Sequence, residues 1–206
     1  MSNEYTVIQL QQGTTEWHEW RNNGIGASDA PAIMAENPWK SAELLMSEKL
    51  GIAKKFAGNA ATARGTALEP EARKRYELIS KVRVEPACLQ SARYTWQRAS
   101  VDGLALNGSA VVEIKCGESV YKKTAATRQV PFYYAGQLQH ILVVTGLSCI
   151  DFFCYLPLHP EVHLLIKRDD AYIARLISAE ESFWQRLVKQ RCDGPYTTCR
   201  PYVRSQ

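Results

Sequence analysis

The hydrophobic and polar positions of the chain are most regular around Asn107-Gly108, where the flanking residues on both sides read as strand. Asn-Gly is the strongest short hairpin signal, because a two-residue type I′ turn needs positive φ at both positions. That turn sets a register: Leu106 faces Ser109, Ala105 faces Ala110, Leu104 faces Val111 and Gly103 faces Val112. Asp102 then falls opposite Glu113, and Ser100 opposite Lys115. Directly opposed Cβ atoms lie roughly 4.5–5.5 Å apart. Alternation puts Glu113 and Lys115 on one face, with Leu104 and Val111 continuing it, and Val101, Val112 and Ile114 on the other.

Periodicity elsewhere predicts a mixture of helices and strands. Residues 13–24 read as a helix capped by Thr14 or Thr15, with Trp17, Trp20 and Arg21 at helical spacing. The run Gly24-Ile25-Gly26-Ala27-Ser28-Asp29 reads as a glycine-rich turn into a helix capped by Ser28, with Pro31 in its first turn. Helices are also expected at 42–50 and 64–79. In the latter, Thr66 and Glu69 fit a capping box spoiled by Pro70, which leaves Glu69 free to act as a further acid. Val82–Gln90 and Tyr94–Ser100 read as strands leading into the hairpin, and Cys116-Gly117-Glu118 is followed by a basic polar loop containing Lys122, Lys123 and Arg128. Phe132–Val144 reads as a helix closed by Gly146, with Tyr133, Gln137 and His140 on one face and Tyr134, Leu138, Ile141 and Leu142 on the other. Two strands, Leu147–Leu156 and Glu161–Lys167, precede a final helix capped by Asp169 or Asp170 and ended by Gly194-Pro195. The tail through Arg200 and Arg204 is basic.

Composition narrows the class. A chain of 206 residues, 46% hydrophobic, suits a single domain (1–206) with a sizeable core. No apolar run reaches membrane-spanning length and no signal pattern opens the chain, so a soluble cytoplasmic protein is expected. None of the six cysteines forms a C-x-x-C pair, which argues against zinc, iron–sulfur and disulfide frameworks. His159 and His163 match a metal pair only by count. The net charge of +4 is compatible with a nucleic-acid partner without demanding one.

Asp102 opposed to Glu113 is the candidate chemistry. Like charges across strands destabilise a sheet. A divalent cation held by both carboxylates offsets the repulsion, since hard ions take oxygen ligands from one or two carboxylates plus substrate phosphates. Lys115 beside them suits orienting a water or stabilising developing negative charge. From spacing alone, a solvated sheet face carrying these three side chains weighs equally. Free N–H groups at the start of the Ser28 helix, with Arg21 upstream, suit an anion, although an ordinary capped helix with a surface arginine reads the same way.

An Asp, a hairpin and then Glu113-Ile114-Lys115 form the PD-(D/E)xK nuclease signature. The order Trp-His-x-x-Arg (from Trp17), Gly-Ile-Gly-Ala-Ser-Asp, Arg-Gly-x-x-x-Glu (to Glu69), Ser-x-Asp-Gly (from Ser100), Glu-Ile-Lys-Cys and Tyr-Tyr-x-x-Gln-Leu-Gln (to Gln139) resembles the phage lambda exonuclease and YqaJ-type viral recombinase family. The resemblance implies an α/β fold with a central mixed β-sheet flanked by α-helices. It implies that Asp102, Glu113 and the Ile114 carbonyl bind catalytic metal, that Lys115 activates water, and that Glu69 and Gln137 support the site. It places Arg21, Ser28 and Ser100 in a 5′-phosphate pocket. It further implies a Mg²⁺ cofactor in a two-metal site where Mn²⁺ can substitute, and 5′-to-3′ digestion of one strand of duplex DNA from its ends. A ring-shaped trimer, a single-strand annealing partner and a phage or prophage origin in a bacterial host complete the implication. The segment 53–63 departs from the family pattern. A structure-specific or restriction-like endonuclease and a non-catalytic DNA-end binding module are the rival readings.

Overall fold

In the computed structural model, which describes residues 4–54 and 58–193, the predicted hairpin occupies the middle of a mixed sheet. The elements run β1 (Tyr5–Ile8), α1 (Thr15–Asn22), β2 (Ile25–Gly26), a 3₁₀ turn (Ala27–Asp29), α2 (Ala30–Ile33), α3 (Ala42–Lys49), α4 (Ala60–Ser80), β3 (Val84–Ser91), β4 (Gln97–Ala105), β5 (Val111–Lys115), α5 (Glu118–Thr127), a 3₁₀ turn (Phe132–Tyr134), α6 (Ala135–Thr145), β6 (Cys149–Cys154), β7 (Val162–Lys167) and α7 (Asp170–Asp193). Among the described residues the strand order is β1-β3-β4-β5-β6-β7, with β2 pairing separately to β4. β5–β6 and β2–β4 are parallel and the other neighbours antiparallel.

The expected register is present in β4–β5, where Gly103 pairs with Val112 and Leu104 with Val111. The turn differs from a type I′ bend. Of its two central residues only Gly108 has positive φ, at 71°. The Asn107 carboxamide instead accepts from the Ser109 N–H at 3.1 Å and the Ser109 hydroxyl at 2.7 Å. The loop is wider, closed by the Ala105 N–H on the Ala110 carbonyl at 2.8 Å. It is centred on the same two residues, so the register survives.

One face of the sheet packs Val111, Leu104, Phe152 and Val101 against Leu138, Ile141 and Leu142 of α6. The other packs Val112, Ile114 and Phe153 against Ala72 and Tyr76 of α4. Val101 therefore shares a cluster with Leu104 and Val111, contrary to strict alternation. The cause is a bulge: Glu85 pairs with Leu104 but Ala87 with Val101, so β4 carries an extra residue at Asp102-Gly103.

Helix caps follow local chemistry. Thr14, Ser41, Asn59 and Asp169 accept from backbone N–H groups of the first turns of α1, α3, α4 and α7. Asn59 starts α4 well before Thr66, so Thr66 and Glu69 lie in the helix interior and form no capping box. Residues 118–127 are a helix, not a loop; the buried set Val120, Tyr121 and Thr124 is too short a stripe to announce itself in a basic segment. Gly194-Pro195 and the basic tail lie outside the described residues, as do residues 55–57 of the divergent segment. Cys116 and Cys154 are buried within the apolar clusters. No described helix is long and apolar enough to cross a membrane.

His140 is not on a polar face. It is fully buried, with Nδ1 on Glu180 Oε1 at 2.6 Å and Nε2 on the Arg98 carbonyl at 3.1 Å. Glu180, also fully buried, accepts from Gln97 Nε2 at 2.7 Å. Burial disfavours a charged imidazole, but the Glu180 charge and hydrogen bond outweigh it and hold the His140 pKa above its ordinary value. This network joins α6, α7 and β4. Removing one partner of a buried pair leaves an uncompensated charge, so Glu180→Ala is expected to lose about 3–5 kcal/mol in urea denaturation. The pair's contribution is complete below about pH 6.5 and is lost as pH rises through the raised His140 value. An unchanged midpoint in the variant refutes this account.

Candidate active site

One step beyond the Gly103–Val112 pair the β4–β5 ladder gives way to a side-chain contact. The Ile114 N–H donates to Asp102 Oδ2 at 2.7 Å. The expected direct pairs Asp102–Glu113 and Ser100–Lys115 are absent from the ladder, because the β4 bulge shifts the strand there. The Asp102 carboxylate is instead held to the β5 backbone between Glu113 and Lys115. Arg73 of α4 donates to the Asp102 carbonyl at 2.7 Å, fixing the bulged strand from the other side.

Three side chains close around this point. Lys115 Nζ lies 2.6 Å from Glu113 Oε1 and 3.5 Å from Gln137 Oε1, while Gln137 Nε2 donates to the same Glu113 oxygen at 2.6 Å. Glu113 Oε2 is buried without a hydrogen-bond partner. Burial, then the Glu113 charge, pushes Asp102 well above the usual carboxylate range, although Lys115 and the Ile114 amide pull it down. Burial also raises Glu69, with Lys115 drawing it back and Glu113 adding to the rise. Lys115 is held above its ordinary value: burial opposes its charge, but Glu113, Tyr134 and Asp102 outweigh it. Its ammonium also sits 4.6 Å from the Tyr134 ring centroid.

The second expected group assembles two residues upstream on the same strand. Arg21 donates from Nη2 to the exposed Ser28 hydroxyl, and Trp17 Nε1 donates to Ser100 Oγ at 2.8 Å. The Arg21 guanidinium lies 4.5 Å from the Trp17 ring centroid, one helical turn away. Ser28 does not cap a helix; it lies inside the 3₁₀ turn, where Asp29 Oδ2 accepts from the Gly26 N–H at 2.9 Å. Asp29 in turn pairs with Lys49 at 2.8 Å.

Two glycines allow these parts to meet. A Cβ on Gly24 would stand 2.6 Å from the Trp96 carbonyl, so only glycine lets β2 lie against β4. A Cβ on Gly136, next to Gln137, would stand 3.1 Å from the Pro31 nitrogen, so α6 packs tightly on the start of α2.

The family model for the YqaJ-like viral recombinase domain matches residues 16–148, which contain every residue of both groups. The chain belongs to this family. The YqaJ protein of Bacillus subtilis (strain 168) is 32% identical over 190 residues, which are 90% of this chain and 60% of that protein. The chain thus spans about 60% of the length of that relative. The crystal structure of an alkaline exonuclease (LHK-Exo) from Laribacter hongkongensis superposes with a TM-score of 0.76 at 28% identity, covering 86% of this chain and 94% of that one. A phage related exonuclease from Haemophilus somnus shares the fold at a TM-score of 0.61 and 13% identity, covering 81% and 96%.

Within this YqaJ-like chain, Asp102, Glu113, Lys115 and Gln137 are brought together, with Glu69 close enough to be shifted by Lys115 and Glu113. Arg21, Ser28 and Ser100 form the neighbouring group. Trp17 is the link between Arg21 and Ser100, and its i,i+4 spacing to Arg21 is the signal the sequence carries for it. His163 bonds Asp151 at 2.7 Å and His159 the Pro157 carbonyl, so the two histidines make no site. No group of three or more His, Cys, Asp or Glu that could hold a metal occurs among the described residues.

A carboxylate whose folded-state pKa is raised stabilises the fold below its unfolded value and loses that contribution as pH rises through the folded one. Asp102→Asn is therefore expected to melt at higher temperature than wild type in chelator at alkaline pH, with the gap closing towards pH 4. One kcal/mol corresponds to about 2–4 °C for a chain of this size. A variant that melts at or below the wild-type temperature at alkaline pH contradicts the proposed crowding.

Proposed function

We propose that this protein is a metal-dependent 5′-to-3′ exonuclease that digests one strand of linear duplex DNA. The observation that carries the reading is the pairing of two groups on one strand: a carboxylate–ammonium cluster at Asp102, Glu113 and Lys115, and a cationic hydroxyl pocket at Arg21, Ser28 and Ser100. Ser100 and Asp102 are two residues apart, about 6.6 Å along a strand, a separation on the scale of one nucleotide. The structural likeness to an alkaline exonuclease and the viral recombinase family membership support nuclease chemistry.

The donor set fits a hard divalent cation. Glu113 Oε2 is an orphaned buried oxygen, and Asp102 is forced towards its protonated form by burial and by its acidic neighbour. Both are what a carboxylate pair presents when its counter-charge is a ligand. Asp102, Glu113 and the Ile114 carbonyl would hold Mg²⁺, which supplies Lewis-acid polarisation of the scissile phosphate.

The chain's own residues do the rest. Arg21 offers a guanidinium fork to a terminal 5′-phosphate, and the Ser28 and Ser100 hydroxyls complete the grip. Holding that phosphate places the next phosphodiester beside Lys115, and positioning of this kind removes much of the entropic barrier. Lys115, kept charged by Glu113 and Asp102, orients the attacking water and stabilises negative charge developing on the phosphate. Gln137 fixes the Glu113 carboxylate that Lys115 leans on. Water adds to phosphorus, the bond to the 3′ oxygen breaks, and a mononucleotide leaves. The shortened strand carries a new 5′-phosphate for the same pocket, which makes the digestion directional. Assembly into a ring around DNA and cooperation with a single-strand annealing protein belong to the same reading.

Lys115→Ala is expected to lower turnover on linear duplex by about 10²–10³-fold with the fold retained, read as release of acid-soluble nucleotide with Mg²⁺. Turnover near wild type rejects the assigned site. Arg21→Ala should raise KM for 5′-phosphorylated ends while leaving 5′-hydroxyl ends unaffected. If the variant still prefers phosphorylated ends, the pocket is misassigned. Covalently closed circular duplex should remain intact, and its cleavage would favour an endonuclease.

A further inference from the structure

A path of aromatic rings leads from the active-site lysine to the surface. Tyr134, which stacks under Lys115, lies 4.8 Å from Tyr133 between ring centroids. Tyr133 lies 4.9 Å from Trp39 and 5.5 Å from Phe132. Trp39 is 72% exposed and Phe132 61% exposed. Scattered exposed apolar side chains are ordinary, but contiguous ones mark binding surfaces.

The cluster is built rather than incidental. Trp39 and Phe132 meet Tyr133 edge to face, at 73° and 75°, and both stay largely exposed. The Asn37 carboxamide accepts from the Trp39 N–H at 2.8 Å and the Lys40 N–H at 3.1 Å, and Lys40 pairs with Glu48 at 2.6 Å. The indole is thus presented on a pinned turn, and part of the ordering cost of binding is already met. Lys123 Nζ stands 5.2 Å from the Tyr133 ring and 5.9 Å from the Phe132 ring.

We propose that Trp39, Tyr133 and Phe132 form a stacking platform for unpaired nucleobases of the DNA strand engaged at the active site. The inference rests on the nuclease reading above and extends it to what lies beside the cut. Nucleobases need flat π faces and their backbone needs a cation, and this surface offers both in Trp39 and Lys123. Its continuity with Lys115 through Tyr134 puts the bases of any DNA engaged at the site within reach. A protein partner also favours aromatic surfaces, but the ammonium over the rings and the link to the phosphodiester site favour nucleic acid.

The test uses the whole chain in chelator, so that nothing is cut. Binding of a fluorescently labelled short oligothymidylate and of an abasic oligomer of equal length is followed by anisotropy. Wild type should bind the base-bearing strand more tightly. Trp39→Ala should weaken that binding about 5–150-fold and leave abasic binding unchanged, while Trp39→Phe keeps most of it. Oligothymidylate affinity unchanged in Trp39→Ala, or equal affinity of wild type for both strands, overturns the platform. So does a Trp39→Ala protein that loses self-association in sedimentation while binding DNA normally, because the rings then pack on a second copy. Duplex digestion with Mg²⁺ is measured separately. Trp39-dependent base binding without nucleotide release would sink the nuclease reading and leave the platform standing.

Discussion

The hydrogen bond from the Ile114 amide to Asp102 is the contact on which the shape of the site turns. It replaces a strand-to-strand bond with a strand-to-carboxylate bond, and so places an acid where the ladder alone would have placed backbone. The bulge in β4 supplies the slack that lets Asp102 reach β5. The consequence is electrostatic: the buried Glu113 pairs with the Lys115 ammonium beside the half-buried Asp102, and one Glu113 oxygen has no partner at all. A fold optimised only for stability would not keep that arrangement, since a buried polar atom without a partner costs free energy.

The surrounding structure holds this cluster and the Arg21 pocket in fixed relation. Cations from three elements converge on carbonyls at and just beyond the end of α1. Arg98 of β4 binds the Trp20 carbonyl, Lys49 of α3 the Gly24 carbonyl at 2.8 Å, and Arg191 of α7 the Asn22 carbonyl at 2.9 Å. Carbonyls at a helix C-terminus carry partial negative charge, which suits cationic donors. Arg21 therefore projects from a helix tied to the strand that carries Ser100 and Asp102. The Glu180–His140–Gln97 network ties α6, and with it Gln137, to the start of that same strand.

Much of the fold was legible where the signal is local. The hairpin register from Leu104 to Val111, the caps at Thr14 and Asp169, the Gly146 end of α6 and most strands are set by residues within a few positions of one another, whereas beyond Gly103 the bulge in β4 breaks the expected pairing. Errors fell where a distant partner decides. His140 shares a helical face with Gln137, yet α7 brings a glutamate to it and turns that face inward. Glu180 carried a readable hint: it sits among Leu176, Phe183 and Leu187 at the stripe's spacing, which makes it a charge in a core position.

The sequence by itself determined which residue types stand at which spacing, and hence the hairpin, its two acids and lysine, and the family order of motifs from Trp17 to Gln139. Only the tertiary structure decided that Asp102 leaves the ladder for the Ile114 amide, that Trp17 bonds Ser100, and that Trp39 joins Tyr133 next to the Tyr134 ring under Lys115. Spacing fixes neighbours along a helix or strand through geometry that repeats every few residues. Contacts between elements depend on how whole faces pack, and a bulge or a glycine that admits close approach changes those faces without altering the local pattern.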